Sequence, residues 1–223
     1  MTGAPRPADP SGEPAGEPPV FQAVLGADWP KLGPVIRRHY FLRPRSRDAI
    51  TVAGTMDEVW HSPLARVLLV PFGRLFGGIV PYRGTAVPIE VHYTARPGDA
   101  TIHWDRVFRF PGRRPFHFRS YMEPQSPGRV IEFVRFGLGI RLHVTAEDGA
   151  LVFRDQGYVW RLFGRDIPLP MGLLFGRATV EERPADDHNF TMRLVMTHPV
   201  FGDLFRYQGR FALPVDAPPP SGG

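Results

Sequence analysis

The spacing of apolar and polar residues changes character once along the chain. Between Val20 and His39 the side chains Val20, Phe21, Val24, Leu25, Leu32, Val35 and Ile36 recur at helical intervals, and Pro30 and Pro34 divide the stretch into two short helical segments. Ala49 to Trp60 reads as extended, with Gly54 marking a bulge or bend. Ser62-Pro63, a hydroxyl cap followed by proline in the first turn, opens a helix over the most apolar run of the chain, Leu64 to Ile79. From Val87 onward the period becomes two. Strands are expected at Val87 to Ala95, Thr101 to Phe110, Pro115 to Met122, Val130 to Phe136, Ile140 to Glu147, Ala150 to Leu162, Ala178 to Arg183, Asn189 to Thr197 and Leu204 to Leu213. Turn residues separate them at 96–99, 111–114, 126–128 and 147–149. Connections so short make neighbours antiparallel, and a twisted sheet of about nine strands curls to hide its edges. The expected fold is therefore α+β: mainly an antiparallel meander curled into a barrel-like sheet, with N-terminal helices and the helix near 63–79 as cap.

One face of the middle strands collects Trp104, Phe108, Phe110, Phe116, Phe118, Met122, Val134, Phe136, Ile140, Leu142 and Val144. That is more aromatic volume than a tight barrel needs, and two readings stand: ordinary core between sheet and helices, or an internal ligand cavity. The 64–79 segment likewise reads as core, as a lid over a cavity, or as an interfacial helix. At about 1.5 Å per residue it reaches roughly 24 Å, short of a bilayer core of roughly 30 Å. Arg66, Pro71 and Arg74 interrupt it as well, so it does not span a membrane.

Composition adds the boundaries. Residues 1–19 hold six prolines and three glycines with no large apolar side chain after Met1, and 214–223 end in Pro-Pro-Pro-Ser-Gly-Gly. Both are expected as disordered segments flanking a single globular domain over 20–213. The arm lacks the basic start and apolar stretch of a secretory signal, which makes the cytoplasm the simplest address. The absence of cysteine fits a reducing compartment and excludes disulfides, thiolate nucleophiles and thiolate metal sites on this chain.

The net charge of +5 comes with 26 arginines and one lysine, Lys31. Most arginines are dispersed, but Arg106, Arg109, Arg113, Arg114 and Arg119 fall within fourteen residues that contain no acid. Arg113 and Arg114 sit at a hairpin tip, which reads as a solvated basic tip or as a seat for the anionic head of a lipid or ligand. Nucleic acid is not expected, because the aromatics needed for stacking, Phe108, Phe116 and Phe118, are assigned inward.

No catalytic constellation has a defining spacing. His92, His103, His117 and His143 are in phase with Glu90, Asp105, Arg119 and Arg141, so they should face solvent in cross-strand pairs, and no metal site is expected. There is no Gly-x-Ser-x-Gly elbow and no glycine-rich phosphate loop, and no cofactor is expected. Glu181 with Glu182, and Asp186 with Asp187, are adjacent, point apart and read as solvated. The groups available for acid–base work are Tyr158, Tyr207, Asp155, Glu132 and His198.

Several short motifs then occur in a telling order: Trp104-Asp-Arg-Val-Phe108, Phe118-Arg119, Arg135-Phe136-Gly137, Gly164-Arg-Asp-Ile-Pro168-Leu169-Pro170, His198-Pro-Val-Phe-Gly202 and Arg206-Tyr207-Gln-Gly209. Together they resemble a bacterial family known as domain of unknown function 4166, over about Val20 to Leu213. That family often carries Glu immediately before its Arg-Phe-Gly; here the position is Val134 and the nearest acid is Glu132. Its members occur alone or fused behind NAD-binding, epimerase-like or saccharopine-dehydrogenase-like domains. The resemblance implies an accessory module, with any NAD-dependent step belonging to a partner protein.

The functional expectation is a binding module rather than an enzyme. An apolar body would lie among Trp104, Phe108, Phe118, Phe136, Tyr158 and Tyr207 under the 63–79 helix, and Arg106 or Arg135 would hold a carboxylate or phosphate head. The alternatives are an enzyme with a barrel-lining acid or base, and a protein or peripheral-membrane docking module using the 64–79 helix and the basic tip.

Overall fold

The computed structural model describes residues 17–214, so the arm and tail expected at 1–19 and 214–223 lie outside the described residues except at 17–19 and 214. The chain begins with α1 (Val20–Leu25), a 3₁₀ turn over Gly26–Lys31 and α2 (Pro34–His39). Next come β1 (Ala49–His61), α3 (Pro63–Phe76), β2 (Gly84–Arg96), β3 (Asp99–Phe108), β4 (Phe116–Ser126) and β5 (Arg129–Phe133). A 3₁₀ turn at Arg135–Gly137 leads to β6 (Leu138–Glu147), β7 (Ala150–Leu162) and β8 (Arg165–Leu169). After α4 (Gly172–Phe175), the chain ends in β9 (Arg177–Pro184), β10 (Asn189–His198) and β11 (Gly202–Ala212).

Neighbours run β6-β5-β4-β3-β2-β1-β11-β10-β9-β7, and β7 pairs back onto β6, which closes ten strands into a barrel. Every pairing is antiparallel, and closure leaves the ten wall strands without a free edge. β8 stands outside the ring as a hairpin on the end of β7. Two strands therefore join the nine read from the sequence. β1 is a full wall member between β2 and β11, and β8 escaped notice because neither of its faces is buried, so it carries no alternation. Elsewhere the period of two is plain, as in β2, where Val87, Ile89, Val91, Tyr93 and Ala95 all point into the core.

The two ends of the barrel are closed differently. At one end α1 and α2 act as a plug: Val20 N–H donates to Leu42 O at 3.0 Å, Gly33 N–H to Gly149 O at 2.9 Å and Gly128 N–H to Val24 O at 2.7 Å. Phe21, Trp29, Val35 and Ile36 of this plug are buried. The opposite end is crossed by α3 and α4. Ser62 caps α3, its Oγ accepting from the Ala65 N–H at 3.1 Å. The helix stops at Phe76 rather than continuing to Ile79, because Gly77 adopts φ 73° and turns the chain away.

At the same end the β7–β8 turn places Phe163 at φ 50° and Gly164 at φ 74°. Asn or Gly ordinarily occupies the first of these positions, and an L side chain there costs on the order of 1–2 kcal/mol. The four histidines of β2, β3, β4 and β6 face outward as expected: His92 meets Thr51 at 2.8 Å, His103 meets Asp99 at 2.8 Å, His117 meets Asp105 at 3.0 Å, and His143 is exposed.

Candidate functional site

Between the barrel walls and the inner faces of α3 and α4 lies a cavity of about 120 Å³, lined mostly by apolar side chains such as Phe72, Phe76, Phe175 and Met196. Five of the eight residues expected to bind a ligand line it: Trp104 and Arg106 on β3, Phe118 on β4, Tyr158 on β7 and Tyr207 on β11. Phe108 shares their parity and is fully buried, but it packs with Phe110 and meets Tyr207 edge-on and is not among the residues that line the cavity.

Arg135 and Phe136 require correction. The strand expected over 130–136 ends at Phe133, and positive φ values at Phe136 and Gly137 reverse the alternation before β6 begins. Phe136 is consequently 67% exposed, and Arg135 points along the outside of Gly77.

Arg106 follows Trp104 by two residues on β3, so strand alternation sends its guanidinium into the core, where it is 6% exposed. It donates to Ser120 Oγ at 3.1 Å and to Glu132 Oε1 at 3.0 Å, and the Ser120 hydroxyl donates to the same carboxylate oxygen at 2.6 Å. The rings of Trp104 and Phe118 lie 4.5 and 4.6 Å from the guanidinium carbon, so the cation is held between two π faces. Burial alone pulls the Arg106 pKa down, but Glu132 and then Tyr207 and Tyr93 more than reverse it; the residue stays charged.

A second buried polar pair was not expected. Glu182, read from the sequence as solvated, is 3% exposed and lines the cavity. Glu181 and Glu182 do point apart, but Glu182 keeps phase with Ala178 and Val180, both of which face the cavity. Its Oε2 lies 3.3 Å from Nδ1 of His39, whose ring is fully buried, stacks on Phe190 and meets Tyr93 edge-on. His39 was legible too, since it follows Val35 and Ile36 at helical spacing on the buried face of α2. Burial, reinforced by the Glu182 carboxylate, raises the Tyr40 and Tyr93 hydroxyls well above their ordinary range.

Of the five candidate acid–base groups, Glu132, Tyr158 and Tyr207 line the cavity. Burial pushes Tyr207 up to about 12 and also raises Tyr158, so both are neutral hydroxyls at ordinary pH. Asp155 is raised by burial while it accepts from the Gly157 and Ala178 amides. His198 sits under the barrel end, its Nε2 3.0 Å from Leu173 O and its Nδ1 accepting from the Val200 amide at 3.1 Å. No hydrogen bond joins any two of the five among the described residues, so the acid–base reading lacks a working pair. By contrast, Trp104 Nε1, the Tyr158 hydroxyl and Glu182 Oε2 are buried and have no hydrogen-bond partner among the described residues. All three belong to residues that line the cavity. Among the described residues no helix is long and apolar enough to cross a membrane.

Comparison with known proteins gives a family match over residues 32–211, to one described as "Domain of unknown function (DUF4166)". The uncharacterized protein YndH of Bacillus subtilis (strain 168) is 25% identical over 189 residues, covering 81% of this chain and 90% of that protein. Among solved structures, Rv2717c from M. tuberculosis matches 82% of this chain and 99% of its own at 13% identity, with a TM-score of 0.43. The dehydratase domain of the polyketide PpsC from Mycobacterium tuberculosis matches 85% of this chain and 84% of its own at 9% identity, with a TM-score of 0.18.

Proposed function

The chain belongs to the family described as "Domain of unknown function (DUF4166)", and from that premise we propose that it is a binding protein for an apolar small molecule with one neutral hydrogen-bonding group, held inside the barrel. The observation that carries this reading is the largely apolar cavity with three buried polar atoms on its lining residues, none of which has a hydrogen-bond partner among the described residues, although Glu182 Oε2 faces His39 Nδ1 at 3.3 Å. Buried polar groups in folded proteins are nearly always paired, so an indole N–H and a phenol without partners around one cavity favour a polar ligand group there. Apolar walls supply affinity and the few polar atoms supply orientation.

The charge count disfavours the anionic head expected from the sequence. Glu132 already satisfies Arg106, and Glu182 adds a second carboxylate, so a carboxylate or phosphate ligand would enter a site without spare positive charge. A hydroxyl or amide meets the unpaired donors and acceptor without that penalty. The volume of about 120 Å³ is close to that of engineered apolar cavities that take up benzene, which sets the scale of the body accommodated with α3 in place.

The test uses methionine methyl NMR, because Met122, Met192 and Met196 line the cavity while Met56 is buried elsewhere. Phenol, indole and 1-octanol are titrated into protein labelled at the methionine methyl carbons. Saturable shifts confined to Met122, Met192 and Met196, abolished when Ala178→Leu fills the cavity, support the reading. No shift with any probe up to its solubility limit, or shifts that survive Ala178→Leu in a folded protein, would overturn it.

A further inference from the structure

We propose that the end of the barrel crossed by α3 and α4 docks on the surface of an anionic lipid bilayer. Every large hydrophobic side chain that is exposed among the described residues belongs to an element at that end: α3, the 135–137 turn, the β7–β8 hairpin, α4 and the β10–β11 turn. Val67, Leu75, Phe136, Phe163, Leu173 and Val200 are each more than half exposed, and Phe163 is 102% exposed. Scattered apolar residues on a surface need no explanation, but their confinement to one end of a closed barrel does.

Backbone conformation points the same way. Phe136 and Phe163 both sit at positive φ, 60° and 50°, which presents their rings outward. Phe163 gains no burial in return, since its ring is fully in solvent. Phe136 meets Phe76 edge-on at 6.0 Å, whereas the strain at Phe163 has no packing return, which is the kind of outlier that motivates a functional hypothesis.

Charge selects the partner. The segments that build this end, 63–83, 109–115, 134–137, 163–165, 170–176 and 199–201, contain eight arginines, and the acids at their borders, Asp166 and Asp203, are paired with Arg161 and with Arg206 and Thr197. Among the described residues, Arg66, Arg74, Arg113, Arg114, Arg135 and Arg165 have no carboxylate within 4.0 Å. The opposite end, closed by α1 and α2, carries mixed charge: Asp28, Asp48, Asp99, Asp148, Asp186 and Asp187 lie among Lys31, Arg37, Arg38, Arg43, Arg45, Arg47 and Arg96. On α3 the outer stripe of Val67, Pro71 and Leu75 lies beside Arg66 and Arg74, so apolar side chains enter the headgroup layer while guanidinium groups reach lipid phosphates.

A receptor for such a phosphate is built beside the helix. A separate cavity of about 570 Å³ is lined by Arg66, Arg74, Arg83 and Arg113 around Tyr82 and His61, without a carboxylate. His61 is 3% exposed and its Nε2 has no hydrogen-bond partner among the described residues. Arg83 donates to the other ring nitrogen of His61 and to its carbonyl, and Arg113 lies over the Tyr82 ring at 4.4 Å. Burial, with Arg83 and Arg66 adding to it, lowers the His61 pKa, in keeping with a site that gathers positive charge before any anion arrives.

The full chain is tested by co-sedimentation with vesicles of phosphatidylcholine alone and of phosphatidylcholine with phosphatidylglycerol in equal parts. Binding to the anionic vesicles that weakens as salt is raised, with background binding to phosphatidylcholine, is the expected result. Phe163→Ser with Leu173→Ser removes two exposed apolar groups and lowers partition at least about tenfold. Arg66→Gln with Arg74→Gln reduces the preference for anionic lipid, whereas Arg37→Gln with Arg38→Gln at the opposite end does not. All substituted side chains are at least partly exposed, and unchanged melting temperatures confirm intact folds. The methionine methyl shifts produced by cavity probes persist in these variants, which separates this surface from the interior site. Absence of binding to anionic vesicles, serine variants that bind like the parent, or equal losses at both ends overturns the proposal; capture of a soluble protein by the same face without vesicle binding replaces it with a protein interface.

Discussion

Removing the Glu132 carboxylate while leaving Arg106 in place strands a guanidinium that is 6% exposed and has Ser120 as its remaining hydrogen-bonding partner. The rings of Trp104 and Phe118 stabilise the cation, but they cannot replace an ionised acceptor at 3.0 Å. Breaking a buried ion pair from one side costs about 3–5 kcal/mol, whereas replacing both partners by apolar side chains of similar volume is often close to neutral. Glu132→Ala should therefore lose about 3–5 kcal/mol, and Glu132→Gln, which keeps a carbonyl for Arg106 and Ser120, roughly 1–3 kcal/mol. The double variant Arg106→Met with Glu132→Leu should cost less than Glu132→Ala alone. Equilibrium urea unfolding followed by tryptophan fluorescence reads the difference. With a slope of about 2–3 kcal/mol per molar, the midpoint of Glu132→Ala falls by roughly 1–2 M. A loss below about 1 kcal/mol for Glu132→Ala, or a double variant that loses the sum of its singles, would refute the description of these residues as a coupled, desolvated pair.

Gly176→Ala should destabilise the barrel by at least about 2 kcal/mol, seen as a lowered melting temperature. Gly176 has φ 70°, and a Cβ there would lie 2.2 Å from Thr197 O and 2.6 Å from His198 Cα, backbone that cannot give way. Acid sensitivity is expected as well. Arg154 holds Glu147 at about 2 against an ordinary 4.5, so this contribution is present above about pH 4.5 and lost as the pH falls toward 2. Asp48 and Asp166, lowered by Arg43 and Arg161, act in the same direction, while Asp155, raised by burial, opposes them. Both members of the Glu147–Arg154 pair are more than 40% exposed, so solvent screening limits Arg154→Leu to flattening the acid limb of a stability–pH profile by less than about 1 kcal/mol. An unchanged limb would show that the pair contributes nothing.

Much of the fold was legible because strand alternation survives wherever one face meets the core. The same parity that placed Trp104 and Phe118 on the cavity placed Arg106 there, and it set His92, His103, His117 and His143 outside. Parity failed at Phe136 because it presumes an unbroken strand, and a tight turn with two positive φ values leaves no trace in hydrophobicity beyond the glycine that follows. Glu182 was lost for the opposite reason. Its register with Ala178 and Val180 was readable, but a carboxylate among carboxylates looks solvated until His39, nearly 150 residues earlier, is brought against it by the plug helices. The barrel-like curl followed from strand number and twist, but the particular β6–β7 and β1–β11 pairings that close the ring were not legible, since they are set by shear rather than by any local pattern.

The two proposed sites meet in α3. Its inner side chains Phe72 and Phe76 line the cavity, while Val67 and Leu75 on the other side are exposed. A fourteen-residue helix is marginal on its own, and this one carries Pro71 in its interior, so its position depends on the Ser62 cap and on packing against the barrel end. Gly73 lets the chain after the helix fold back against it, because a Cβ there would lie 2.5 Å from the Cβ of Ile79. In the two proposals, docking and binding use opposite faces of this one helix, whose apolar residues outnumber what the core covers.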